Sequence, residues 1–141
     1  MPDYLHPRLE DAALGQLSAL GLAHIGDGVY ELMTRGSLVT GGLLTAHHLH
    51  AQTVRLVCAA AQYRAAQAIL PLLDEEEEAV FRHGRNAKPK TIPKSASQAE
   101  YAYATALEAL FGWLLLKGRY ERLNELYEVI SRDREQAGPA N

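Results

Sequence analysis

Apolar residues along the chain recur at intervals of three and four. Leu22, Ile25, Val29, Leu32 and Met33 fall on one stripe of a helix turning about 100° per residue. The spacing predicts a first helix over about Ser18–Thr34, with Gly41 and Gly42 closing the region. Thr45 is suited to cap a second helix carrying Leu49, Val54, Leu56 and Val57. A break near Ala59–Ala61 leads into AQYRAAQAIL, stopped at Pro71. Asp74 caps a fourth helix with glutamates in its first turn, where the helix dipole favours negative charge, and Gly84 ends it. The stretch from Arg85 to Lys94 contains Pro89 and Pro93 and reads as a loop. Ser97 and Glu100 have the spacing of a capping box and open the most apolar helix, about Ser97–Lys117, which Gly118 ends. A last amphipathic helix covers about Tyr120–Arg132. Alternating β-branched runs are absent. The expectation is an all-α chain of about six helices.

With 141 residues the chain has room for one hydrophobic core, expected over about 17–132 with a frayed tail at 133–141. The apolar share of 48% and charged share of 22% are those of a globular protein. No apolar run is long enough to span a bilayer, and the start lacks a secretory pattern, so a cytoplasmic protein is expected. The single cysteine, Cys58, excludes an internal disulfide, and in the run LVCAAA it reads as a buried, inert thiol.

Charge changes the picture only through its distribution. A net charge of -3 does not suggest a general nucleic-acid-binding surface. The run Asp74–Glu78 reads as a solvated helix start. Directly after it, Arg82, Arg85, Lys88, Lys90 and Lys94 place five of the 14 basic residues in one short stretch that contains no acid. That is a local patch suited to phosphates.

Two carboxylates carry the candidate chemistry. Asp27 lies about 140° round the helix from Leu22, with His24 and Glu31 one turn away on either side. Taken alone it is an ordinary polar position. Glu108 is the only ionisable Asp, Glu, Lys, Arg or His between Tyr101 and Leu116. An unpaired buried carboxylate costs several kcal/mol, so it needs a buried base, a hydrogen-bond network, a proton or a metal. Both the structural and the metal reading stay open on chemistry alone. Gly26 and Gly112 would let the two helices cross closely and bring Asp27 to Glu108. Two carboxylates suit a hard cation such as Mg²⁺ or Mn²⁺. His47, His48 and His50 form a cluster that reads either as a transition-metal site or as an exposed helix face. Tyr101, Tyr103 and Trp113 read as base-stacking groups or, at helical spacing, as core.

The segments LAHIGDGVYEL, FRHGRNAKPKTIPK and YAYATALEALFGWLLL, in this order, closely resemble Mini-ribonuclease III, a ribonuclease III relative reduced to its catalytic domain. The resemblance covers about Leu17–Ile130. It implies an all-α ribonuclease III domain, working as a homodimer, that hydrolyses double-stranded RNA with Mg²⁺ and matures the ends of precursor 23S ribosomal RNA. It implies Asp27 and Glu108 as catalytic and metal-binding residues; beside them, Arg82, Arg85, Asn86, Lys88 and Lys94 of the basic stretch are expected to grip the RNA backbone. Glu31 matches a feature of the family, and Glu31 and Thr105 are second-tier candidates. Larger ribonuclease III enzymes carry further acids at the positions of Ala23 and Thr105, so four carboxylates become two here. No double-stranded-RNA-binding domain is expected after the last helix, which leaves RNA affinity to the dimer or to a ribosomal protein partner. The alternatives are a non-catalytic RNA-binding ribosome-assembly factor of the same fold and a helical protein-interaction module.

Overall fold

The computed structural model describes residues 1–42, 45–87 and 97–137. Its elements are α1 (Asp11–Leu14), α2 (Ala19–Thr40), α3 (Ala46–Val57), α4 (Ala59–Ile69), a 3₁₀ turn (Leu70–Leu72), α5 (Glu75–Arg85), α6 (Gln98–Leu116) and α7 (Tyr120–Gln136). No strand occurs among the described residues. The six expected helices are all present, and α1 is added before them. No described helix is long and apolar enough to cross a membrane. Lys88, Lys90 and Lys94, with the loop expected around Pro89 and Pro93, lie outside the described residues, as does the tail beyond Ala137.

Helix α6 forms the centre. It is apolar nearly all round, and such a helix is stable only when neighbours cover every side. Leu107, Leu110, Phe111 and Leu114 are fully buried. Helices α2, α4 and α5 pack directly against it, and α7 lies against α4 and α6. The capping box at its start is formed: the Ser97 hydroxyl accepts from the Glu100 amide, and Glu100 accepts from the Ser97 amide. Gly118, at φ +80°, ends the last turn in a conformation that L side chains rarely adopt.

Helix α2 starts at the expected cap, where Ser18 Oγ accepts from the Gly21 amide at 3.0 Å, but it runs on to Thr40. Its buried face also differs from the expected stripe. Leu22, Ala23, Gly26, Val29, Tyr30 and Thr34 point inward, while Leu32 is 66% exposed. The reason is the partner: where α2 crosses α6 closely, the small Ala23 and Gly26 take the inner face, and Leu32 is left outside. Asp27 therefore stands at the margin of the buried face. Its roll is held from below by a polar network. Arg134 of α7 donates to the Tyr30 hydroxyl at 2.8 Å and to the Tyr127 hydroxyl at 2.9 Å, and Tyr127 donates to Thr34 Oγ1 at 3.0 Å.

Four further expectations change. Gly84 does not end α5; it is a buried packing position one residue inside the helix. The acidic run is not wholly solvated. Asp74 and Glu77 form a capping box, and Glu77 is fully buried because Arg122 of α7 donates to both its carboxylate oxygens at 2.8 and 2.9 Å. Cys58 is exposed, not buried. It occupies the extended joint between α3 and α4, where the chain leaves one apolar face before entering the next. Finally, α7 continues to Gln136, so residues 133–136 are helical.

Candidate active site

The geometry of the site begins with two glycines. A Cβ placed on Gly26 would lie 1.6 Å from the Glu108 carbonyl oxygen and 2.9 Å from the Gly112 amide nitrogen. One placed on Gly112 would lie 2.1 Å from the Leu22 carbonyl oxygen. No side chain fits either gap, so α2 and α6 touch backbone to backbone. Asp27 follows Gly26 directly, and Glu108 is one turn before Gly112. The crossing thus brings the two carboxyls of the sequence analysis into contact.

Their electrostatics follow from that contact. Asp27 is exposed at the rim, whereas Glu108 is partly buried on the central helix. Burial, then the charge of Asp27 and a hydrogen bond with it, push the Glu108 carboxyl up to about 8. Near neutral pH the Glu108 carboxyl accordingly keeps its proton. A divalent cation would take the place of that proton, which is how a hard metal fits two adjoining carboxyls.

A third group was not anticipated. Gln62 of α4 is 3% exposed, and its amide approaches the Glu108 carboxyl, where it favours the charged form. Its Nε2 donates to the Val57 carbonyl at 3.1 Å. Its Oε1 is buried with no hydrogen-bond partner among the described residues. Two adjoining carboxyls supply oxygen donors, the chemistry that Mg²⁺ and Mn²⁺ prefer, and the Gln62 amide packs beside them. Within the run AAAQYRAAQ nothing marks this glutamine as different from Gln67, which is exposed on the same helix.

Helix α5 closes the other side. A Cβ on Gly84 would lie 2.8 Å from Ala106 Cα and 2.9 Å from Ala109 Cβ. The close approach is to the turn of α6 that carries Glu108. Arg82, Arg85 and Asn86 are exposed at this end of α5 and its cap. Among the described residues, Arg82 makes a long, exposed contact with Glu78 at 3.9 Å.

The second-tier candidates are engaged elsewhere. The buried Thr105 donates to the Tyr101 carbonyl at 3.0 Å, and Glu31 pairs with Arg35 at 3.3 Å. Neither hydrogen-bonds Asp27 or Glu108. His47, His48 and His50 stand exposed on α3, and no group of three metal-ligating side chains gathers among the described residues. Tyr103 packs on Tyr63 and Phe81, and Trp113 is 8% exposed beneath Lys117 and Arg119, so both belong to the packed body of the protein.

Comparison with known proteins follows the same lines. Residues 20–119 match the family model described as the ribonuclease III domain. A protein named Mini-ribonuclease 3 from Symbiobacterium thermophilum is 44% identical over 115 residues, covering 82% of this chain and 88% of its own. One of the same name from Enterococcus faecalis is 42% identical, covering 79% and 86%. Another, from Kosmotoga olearia, is 36% identical over 94% of this chain and 90% of its own. A crystal structure of a protein from Fusobacterium nucleatum superposes with a TM-score of 0.77 at 29% identity, covering 84% of this chain and 95% of that one.

Proposed function

The chain belongs to the ribonuclease III family, among the Mini-ribonuclease 3 proteins, and is an endoribonuclease for double-stranded RNA; we propose that it is Mg²⁺-dependent and matures the ends of precursor 23S ribosomal RNA, with Asp27 and Glu108 as its catalytic, metal-binding residues. The observation that carries the assignment of residues is the contact of these two acids at the α2–α6 crossing, in a setting that makes Glu108 costly to ionise alone.

Asp27 and Glu108 would hold the cation, with Mn²⁺ able to replace Mg²⁺. The bound ion supplies Lewis acidity toward the scissile phosphodiester and a lowered pKa for the attacking water. The protein's own share is positional. Glu108 is fixed because its helix is buried on all sides. Asp27 is fixed because Gly26 is pressed against the Glu108 backbone and Tyr30 is tied to Arg134. To hold an ion, Glu108 would have to release its proton, and the exposed Asp27 leaves it a path to solvent.

Duplex RNA is recognised chiefly by shape and backbone, so the remaining task is to grip phosphates. Arg82, Arg85 and Asn86, at the end of the helix packed on the Glu108 turn, are assigned to it together with Lys88 and Lys94. A homodimer would present two such sites to two strands, in keeping with the approximate two-fold symmetry of a duplex. Exposed Leu20, Leu32 and Val39 on α2 support a subunit contact along that helix. A large-subunit ribosomal protein remains the proposed auxiliary partner, and the unpaired Cys58 agrees with a cytoplasmic location. Incubating the protein with a long RNA duplex, with Mg²⁺ or with EDTA, tests the metal dependence. Cleavage only with Mg²⁺ is expected, and equal cleavage in EDTA would contradict it.

A further inference from the structure

Resting on that reading of Asp27 and Glu108, we infer that Gln62 is a positioning residue for the same centre: its amide steadies Glu108 and presents Oε1 as an acceptor toward the hydration shell of the bound cation. Three observations carry this. Gln62 is 3% exposed on α4, a helix packed against α6. Its Nε2 is oriented by donation to the Val57 carbonyl at 3.1 Å, which fixes which end of the amide is oxygen. Its Oε1 is the buried side-chain oxygen that has no partner among the described residues.

A buried, unpartnered carbonyl oxygen is destabilising, and a leucine of similar shape would avoid that cost. A polar group kept at such a place is explained by a donor that arrives with function. The orphan belongs to an amide that reaches the Glu108 carboxyl. The donor expected there is water ordered by a cation held at Asp27 and Glu108. Groups in this supporting position orient a metal's ligands and tune its affinity.

The test uses the full chain and Mn²⁺ as the probe, read by its electron paramagnetic resonance signal on titration, alongside single-turnover cleavage of duplex RNA. Wild type should bind Mn²⁺, and Asp27→Asn together with Glu108→Gln should abolish that binding; if they do not, the reading of the centre itself fails. Gln62→Leu should fold with unchanged or higher metal-free stability, weaken Mn²⁺ binding about 10- to 100-fold, and lower kcat with KM for RNA unchanged. Gln62→Glu keeps an acceptor oxygen beside Glu108 and should recover most of the Mn²⁺ affinity, although it buries a further acid in the metal-free protein. A purely structural glutamine predicts the opposite order, with Gln62→Glu the worse variant. Mn²⁺ affinity within twofold of wild type in Gln62→Leu would overturn the inference while leaving Asp27 and Glu108 in place. Should Gln62→Leu fail to fold, Gln62→Asn, which withdraws the oxygen by one methylene, carries the same prediction and the same refutation.

Discussion

Gly26 of α2 and Glu108 of α6 meet backbone to backbone, so closely that a methyl group on Gly26 would fall 1.6 Å from the Glu108 carbonyl oxygen. The proposed chemistry depends on this contact, because the neighbour of one residue and the side chain of the other form the site. Gly26→Ala must push the helices apart. Overpacking of this kind costs about 1–3 kcal/mol or more. The expected outcome is a melting temperature lower by at least about 5 °C, with cleavage reduced further than stability alone accounts for. A variant that melts within a degree of wild type and cleaves normally would show that the crossing is looser than described.

Glu108 gives a stability prediction with a definite sign. Its carboxyl is raised from 4.5 to about 8 by burial and by Asp27, so the folded protein holds the proton more tightly than the unfolded chain. The associated stability is fully present below about 4.5 and is lost as pH rises through about 8. In EDTA, Glu108→Gln should therefore melt higher than wild type at pH 8, with the gap closing toward pH 5. Added Mg²⁺ should raise the wild type alone. Parallel melting curves for the two proteins across this range would refute the buried-carboxyl account.

Glu77 and Arg122 make the opposite case. The Arg122 guanidinium holds the Glu77 carboxyl below its ordinary range, and the acid is fully buried. Its contribution is present above the unfolded value near 4.5 and disappears as pH falls through the lowered folded value. Arg122→Met leaves the charge without its partner, which costs about 3–5 kcal/mol for buried pairs. A large fall in melting temperature at pH 7 that shrinks toward pH 3 is expected. A fall that does not depend on pH would assign the loss to packing.

How legible all this was depends on what each residue type reveals locally. Glu108 stood out because one acid in an apolar helix is visible without a partner. The capping boxes at Asp74 and Ser97 were visible because caps are short-range chemistry. Gly26 and Gly112 suggested the crossing because small residues mark close approach. Asp27 was not legible as a site residue from the wheel alone. The stripe of large apolar residues shares Leu22 and Val29 with the real buried face but misses Ala23, Gly26, Tyr30 and Thr34, which turn that face toward the Asp27 side. Glu77 looked solvated because its partner, Arg122, lies 45 residues on. Cys58 and Gln62 were hidden for a related reason. Both sit in one alanine-rich stretch, and only the joint between α3 and α4 decides which faces solvent and which faces Glu108.

The phosphate grip is tested through binding. Replacing Arg85 and Lys88 together by alanine should raise KM for duplex RNA about tenfold with kcat nearly unchanged. It should also make binding less sensitive to salt, since fewer counterions are released. An unchanged KM and salt slope would remove this stretch from the RNA surface.

The central claim is that Asp27 and Glu108 together perform the cleavage. It is tested most directly by the single-turnover rate of Asp27→Asn and of Glu108→Gln on a long RNA duplex at saturating Mg²⁺. Each variant should keep the wild-type circular dichroism and assembly state yet lose at least about a hundredfold in rate, the upper end of what loss of a group supporting a metal ligand costs. Wild-type cleavage by either folded variant would contradict the account.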